Sequence, residues 1–494
     1  MGVAEKAVSN TIYLFLNWFV MTLLSFFYWI IAGKTLLPAE YGKVTTSYQL
    51  MFLLGSLSNI GLGAAVSKLI PEYLAKGEEG KVSSLIKFSL KISLTLSTII
   101  AIMLIILSSR LSPYLKLDTE IFFIVAFGIV ASQLSAFFRM VWYGYQNMKK
   151  ILKNNVVNQT IKVGLAALLV LTGWRYFGPI FAMAFSFLVS FLLYFSKKIL
   201  KRGKRIDGRK ILLTFAIPAF MANLAWLLFN NTQYIVLSLL KTTEVTGIFS
   251  VAFLICSQLA PIPGILTQAM FPLISQLSAK KDKLRQSLLI STAFKYTLII
   301  GLPLISVFIL FRNFLILLIS RTEYLGGGEY FLLLAPSALL FGLGRLFLVN
   351  IYALGESKVY RNISVLIAIS YLILSIILTI PYSGFGLALS YFFTSLLFFT
   401  LSISFFHRKV KIKVEMNTIL KIIFCSLLFS LISYLVDITS NGMITKVIAM
   451  LANFAVYGIL ILKFVFDERD VRILKIIARK VGGNKLVKLV ERLS

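Results

Sequence analysis

A chain of 494 residues that is 59% hydrophobic, with a mean hydropathy of +0.89, carries more apolar surface than a soluble fold can bury, because a surface in water needs polar cover. The formal net charge of +31 would suit a nucleic-acid binder, but the basic residues lie where membrane topology, not nucleic acid, accounts for them. Two cysteines and one histidine argue against a disulfide framework, a Cys/His metal site and histidine-based catalysis, and no cofactor is expected.

In chain order, apolar segments occupy approximately 11–33, 44–67, 84–108, 119–143, 152–173, 178–198, 211–239, 246–270, 286–311, 330–353, 360–380, 384–406, 418–436 and 443–464. A hydrocarbon core about 30 Å thick is crossed by about 20 helical residues, so the expected fold class is an all-α integral membrane protein of 14 transmembrane helices. The first segment lacks a small-residue cleavage site and reads as a retained helix, not a signal peptide. With the N-terminus inside, the six inner loops and their flanks carry 25 Lys and Arg and the seven outer ones 9; the tail after Lys463 adds 8 inside. This bias fits the positive-inside rule with both termini cytoplasmic and places the chain in the cytoplasmic membrane. Cys256 and Cys425 fall in apolar runs and read as structural; His407, at an inner helix end, reads as solvated or interfacial.

The chain also repeats itself. Gly42 pairs with Gly247, Pro71 with Pro272, Gly144 with Gly355 and Gly178 with Gly386, at offsets of 205, 201, 211 and 208. Six helices per copy give both halves the same orientation, a parallel repeat. The expected organisation is an N-lobe of helices 1–6 (1–199), a basic cytoplasmic linker (200–210), a C-lobe of helices 7–12 (211–409), two further helices (410–466) and a cytoplasmic tail (467–494). In the tail Val471, Leu474, Ala478 and Val481 share a helical face with basic residues elsewhere. It is either an amphipathic helix on anionic headgroups or a solvated tail.

Charges at membrane depth cost roughly 2.5–3.5 kcal/mol each, so they mark function. Arg139, Lys162, Lys295 and Arg345 qualify, whereas no acid lies deep in the first twelve segments. On the fifth helix Asn155, Asn158, Gln159 and Lys162 follow i, i+3, i+4, i+7 spacing and form one polar stripe, expected to face a wet cavity. The fourth helix carries a similar stripe at Ser132, Ser135, Arg139, Trp142 and Gln146. The first has Asn10, Tyr13, Asn17, Ser25 and Tyr28, and the seventh Asn223, Trp226, Asn230 and Gln233. On these last two helices cavity lining and interhelical hydrogen bonding are equal alternatives. Arg139 and Arg345 either enter the cavity or snorkel to the inner surface. A basic, aromatic-lined cavity suits phosphate or diphosphate groups and sugar rings, and is a poor host for organic cations.

Gly77-Glu78-Glu79-Gly80-Lys81 has the wrong spacing for a phosphate loop, and Gly61-Leu62-Gly63 reads as close helix packing. Asn158-Gln159-Thr160 and Asn230-Asn231-Thr232 match a glycosylation pattern but lie within apolar helices.

Ala32-Gly33-Lys34, Glu40-Tyr41-Gly42, Gly61-Leu62-Gly63 leading to Pro71-Glu72, Pro218, Val245-Thr246-Gly247 leading to Pro272 and Ser275, Ala353-Leu354-Gly355 with Lys358, and Pro381 through Gly386 occur in an order and spacing that resembles the polysaccharide transporters, or Wzx-type lipid-linked oligosaccharide flippases, of the MOP (MATE-like) superfamily. The resemblance implies two six-helix lobes around a central cavity. It further implies alternating access that carries a polyisoprenyl phosphate- or diphosphate-linked glycan to the outer leaflet, with glycan-assembly membrane proteins as partners. Relatives often carry an Asp at the position of Gln233, so ion coupling by that acid is not expected here. A MATE-like exporter of drugs or small molecules is the alternative, and would need an intramembrane carboxylate. A membrane glycosyl- or acyltransferase would leave the repeat unexplained, and the chain is not expected to be an enzyme.

Overall fold

The computed structural model describes residues 3–196, 199, 203–411, 415–439, 442–468 and 470–471. The tail from 472 and linker residues 200–202 lie outside the described residues, as does the side chain of Asn10. The helices of the N-terminal half are α1 (Val3–Thr35), α2 (Pro38–Ser58), α3 (Leu62–Ala75), α4 (Glu79–Ile106), α5 (Ser108–Leu115), α6 (Thr119–Gly144), α7 (Met148–Leu169) and α8 (Phe177–Tyr194). There follow α9 (Gly208–Ile211), α10 (Ile217–Asn231), α11 (Gln233–Leu240), α12 (Thr243–Cys256), α13 (Pro261–Ala279) and α14 (Lys283–Leu310). Last come α15 (Arg312–Ile319), α16 (Phe331–Ala353), α17 (Ser357–Val410), α18 (Met416–Thr439) and α19 (Met443–Phe464).

Among the described residues there is no strand, and ten helices are long and apolar enough to cross a membrane, or eleven if α2 and α3, bent by 52°, form one span. The fourteen expected segments are thus matched only at this coarser level. The 54-residue α17 contains two helices joined at Ser383 (φ 55°, ψ −135°), and further apolar stretches, Phe19–Thr35 and Ile448–Phe464, lie within α1 and α19. The break between α2 and α3 has a local cause: Gly61 takes φ +72°, and a Cβ there would run into the Ala216 carbonyl. Close packing at Gly61 is what the sequence suggested.

Two compact units are present. One comprises Met1–Val251, Ile316–Gly327 and Ser364–Ser390. Within it α6 packs on α8, α2 and α4, and α7 lies between α1 and α8. One apolar cluster in it joins Leu62, Val66, Ile86, Phe137, Phe138 and Tyr194, all buried. The other comprises Ala252–Leu315, Gly328–Ile363 and Tyr391–Ser494; there α13 packs on α16 and α14, and α18 packs on α14 and α19.

Unusual backbone conformations recur at spacings close to those of the sequence landmarks. Positive φ recurs at Gly77 and Lys281, 204 residues apart, and at Gln146 and Gly355, 209 apart. Arg175 (φ 44°, ψ −133°) and Ser383 (φ 55°, ψ −135°) share an unusual conformation 208 apart. Gly355 therefore corresponds to Gln146, not to Gly144. Gly144 has a packing reason instead, since a Cβ there would lie 2.9 Å from the Ile70 Cβ.

The repeat-related Gly42 and Gly247 touch, both within the first unit. A Cβ on Gly42 would overlap the Thr243 carbonyl oxygen, and one on Gly247 would overlap that of Pro38. One turn further on, the Ser250 hydroxyl donates to the Thr45 hydroxyl oxygen at 3.1 Å.

Candidate functional site

Every member of the α7 stripe is buried: Asn155, Asn158, Gln159 and Lys162. The stripe turns toward α1 and α8, and hydrogen bonds hold most of it. Asn155 donates to Asn17 Oδ1 at 2.8 Å and accepts from the Tyr194 hydroxyl at 3.2 Å. Asn158 donates to the Ser186 carbonyl at 2.6 Å. Asn154, which the sequence stripe omitted, donates to the Ser190 carbonyl at 2.8 Å; the Ser190 hydroxyl donates back to it at 2.9 Å and accepts from Ser135 at 2.8 Å. The amides therefore join helices, as polar side chains do where lipid offers no alternative partner. Asn154 stands one turn before Asn158, and both bond the facing α8, at Ser190 and Ser186. Asn155→Ala would leave Asn17 and the Tyr194 hydroxyl short of a partner at a cost of about 1–3 kcal/mol. The expected outcome is a lower unfolding temperature in detergent, measured against wild type.

Lys162 differs from its neighbours. It is 9% exposed, and its ammonium lies 4.7 Å from the centroid of the Tyr28 ring, whose hydroxyl donates to the Pro179 carbonyl at 3.0 Å. Among the described residues no carboxylate pairs with it. One turn before it, Gln159 Oε1 is buried without a hydrogen-bond partner, as are Arg139 Nε and both amide atoms of Gln133 on α6. Buried polar atoms are nearly always satisfied, so this set asks for a further partner. The tyrosine face offsets part of the cost of the uncompensated ammonium.

The other expected cations are placed differently. Lys295 on α14 forms an ion pair with Asp470, which is 3% exposed and also accepts from the Tyr296 hydroxyl at 2.8 Å. The expectation of an unpaired cavity cation is thus corrected there: the partner comes from just beyond α19, and the acid was counted with the tail. Arg345 is exposed on α16. On α10, Asn223 and Asn230 are exposed and donate to carbonyls of their own helix, those of Ala219 at 2.8 Å and Trp226 at 2.7 Å. Trp226 is half-buried, and Gln233 is buried with Oε1 unpartnered.

Acids gather at helix ends. Asp118 accepts from Lys43 at 2.7 Å and from the Tyr176 hydroxyl at 2.8 Å, and Glu40 pairs with Arg175. In the second unit a cavity of about 510 Å³ is lined by Leu310, Phe314, Met450, Leu451 and Phe454, with the Lys446–Asp437 ion pair (2.6 Å) beside them.

A family profile described as polysaccharide biosynthesis protein matches residues 7–278. A membrane protein of Methanocaldococcus jannaschii, itself uncharacterized, is 26% identical over 317 residues, which cover 59% of this chain and 72% of the relative. The solved structure of the lipid II flippase MurJ in an inward closed conformation superposes with a TM-score of 0.70 at 18% identity, over 92% of this chain and 98% of that one. An inward-facing MATE multidrug resistance transporter of the MOP superfamily gives 0.64 at 15% identity, over 81% and 99%. A Pyrococcus furiosus MOP superfamily transporter, described as having a binding pocket of reverse polarity, gives 0.54 at 16%, over 82% and 96%. With a family profile that matches more than half its length, and with the fold of MurJ and the MATE transporters, this membrane chain belongs to the polysaccharide biosynthesis protein family.

Proposed function

We propose that the chain is a flippase that moves a lipid-linked oligosaccharide, carried on a polyisoprenyl phosphate or diphosphate, across the cytoplasmic membrane by alternating access. The observation that carries this reading is Lys162, a buried cation with no carboxylate partner among the described residues, one turn from the unpartnered Oε1 of Gln159. Such a group gains most from an anionic oxygen, to which a charge-assisted hydrogen bond contributes about 1.5–3 kcal/mol. The apolar cavity beside α14, α18 and α19 suits an isoprenoid chain. MurJ is named a lipid II flippase, and the Pyrococcus transporter is described as having a binding pocket of reverse polarity.

In this reading there are fourteen crossings, with α17 contributing two, and both termini are cytoplasmic. The lobes are 1–199 and 211–409, joined by the basic linker 200–210 and followed by helices 13 and 14 (410–466) and the tail 467–494. Lys162 and Arg139 receive the phosphate, Gln159 and Gln233 line its path, and the asparagines of α7 hold the helices that frame it.

Lys162→Met is expected to lower translocation of a fluorescent polyisoprenyl-diphosphate glycan in proteoliposomes by roughly tenfold to a hundredfold, the loss of one such bond. Lys162→Arg should retain more activity. Unchanged transport by the methionine variant would remove Lys162 from the mechanism. Robust export of a cationic dye by wild type, with no glycan movement, would favour a small-molecule exporter.

A further inference from the structure

At the start of α7, three to four turns before Lys162, lies a separate cavity of about 390 Å³. Lys149, Lys150 and Lys153 line it together with Asn147, and Val157 and Leu193 supply apolar walls. Lys149 and Lys153 are one turn apart on one helical face and exposed. The Lys150 ammonium is held 3.5 Å from the centroid of the Trp142 ring. Its lining contains no acid, and none of the three lysines forms an ion pair among the described residues.

A basic run at the edge of a membrane helix ordinarily needs no explanation beyond topology. Here three lysines line one concavity with no acid among the lining residues, and their like charges call for an anion. The apolar walls distinguish that anion from a free one: a phosphate carrying a hydrocarbon chain would satisfy both halves of the pocket. A zwitterionic choline headgroup would bring a cation against the lysines. We propose that this pocket binds the phosphate of a lipid, with Lys149, Lys150 and Lys153 on its oxygens and the first part of the chain along Val157 and Leu193. The site is independent of Lys162 and does not require the chain to transport anything. Its occupant is either an anionic phospholipid or an isoprenoid phosphate.

Native mass spectrometry of the full-length protein, titrated separately with phosphatidylglycerol, phosphatidylcholine and a polyisoprenyl phosphate, tests the proposal. Wild type should retain one or both of the net-negative lipids, phosphatidylglycerol and the polyisoprenyl phosphate, at least tenfold more tightly than phosphatidylcholine, and which of the two is retained names the source. The K149Q/K150Q/K153Q variant should lose that preference, and K149R/K150R/K153R should keep it. A control triple, K280Q/K281Q/K283Q, drawn from another basic loop, should behave as wild type. Should the glutamine triple fold poorly, K153Q alone should weaken the preference by at least threefold. Equal retention of phosphatidylcholine by wild type, or equal loss in the control triple, would overturn the site and leave only general surface charge.

Discussion

Gly42→Val and Gly247→Val are each expected to cut glycan translocation by about fivefold to a hundredfold while leaving membrane insertion intact. Each valine would place its Cβ into a backbone carbonyl oxygen of the facing helix, that of Thr243 or of Pro38. A backbone cannot rotate out of the way as a side chain can, so α2 and α12 must separate. Overpacking at such a contact costs roughly 1–3 kcal/mol, enough to redistribute two states by about fivefold to a hundredfold. Both changes act on one contact, so the double variant should be little worse than either single. The separation itself is measurable. Thr45 and Ser250 hydroxyls are 3.1 Å apart, so a T45C/S250C pair should crosslink under mild oxidation. Adding Gly42→Val should suppress the crosslink. Undiminished crosslinking together with normal transport would show that the glycine contact is incidental. In the proposed mechanism this end of the bundle must open once per cycle, which is why a contact without side chains suits it: there is little buried area to break.

The sequence placed the two glycines at the same point of its repeat but did not show that they touch, since spacing carries no information on which helices approach each other. The apolar segments were legible, since a span needs an unbroken apolar run and basic loops point inward. The direction of the polar stripe was not. Spacing shows that Asn155, Asn158, Gln159 and Lys162 share a face of α7, but a face toward water and a face toward α1 and α8 demand the same residues. Only the partners Asn17, Ser186 and Tyr194 decide it. Lys162 stands out in both views because a lysine, unlike an amide, gains little from a carbonyl-poor apolar neighbourhood. The partner of Lys295 was hidden by distance along the chain: 175 residues separate it from Asp470, and an acid beyond the last helix carries no periodic signal.

Asp470→Ala is expected to destabilise the second unit by about 3–5 kcal/mol, because it leaves the largely buried Lys295 ammonium uncompensated and the Tyr296 hydroxyl without its acceptor. Loss of monodisperse protein on heating in detergent measures this. The pair should also impose a pH dependence of known sign. Burial acts to raise the Asp470 pKa, but hydrogen bonds from Lys295, the Asp467 backbone and Tyr296 hold it below the ordinary carboxylate value. Its contribution is therefore complete above about pH 4 and is lost as pH falls through the depressed value, so stability should not change on this account between about pH 5 and 8. The double variant K295M/D470L separates structure from transport. Replacing a buried ion pair by apolar groups of similar size is often neutral or stabilising, so the double should recover much of what Asp470→Ala loses. If Lys295 serves only to fasten the segment after α19 to α14, the recovered protein should also transport at near wild-type rates. If it meets substrate in another conformation, stability should return while translocation stays low. Lys162→Met is expected to show the opposite pattern, with transport lost and stability kept or raised, because removing an unpaired buried charge relieves a desolvation cost instead of exposing one.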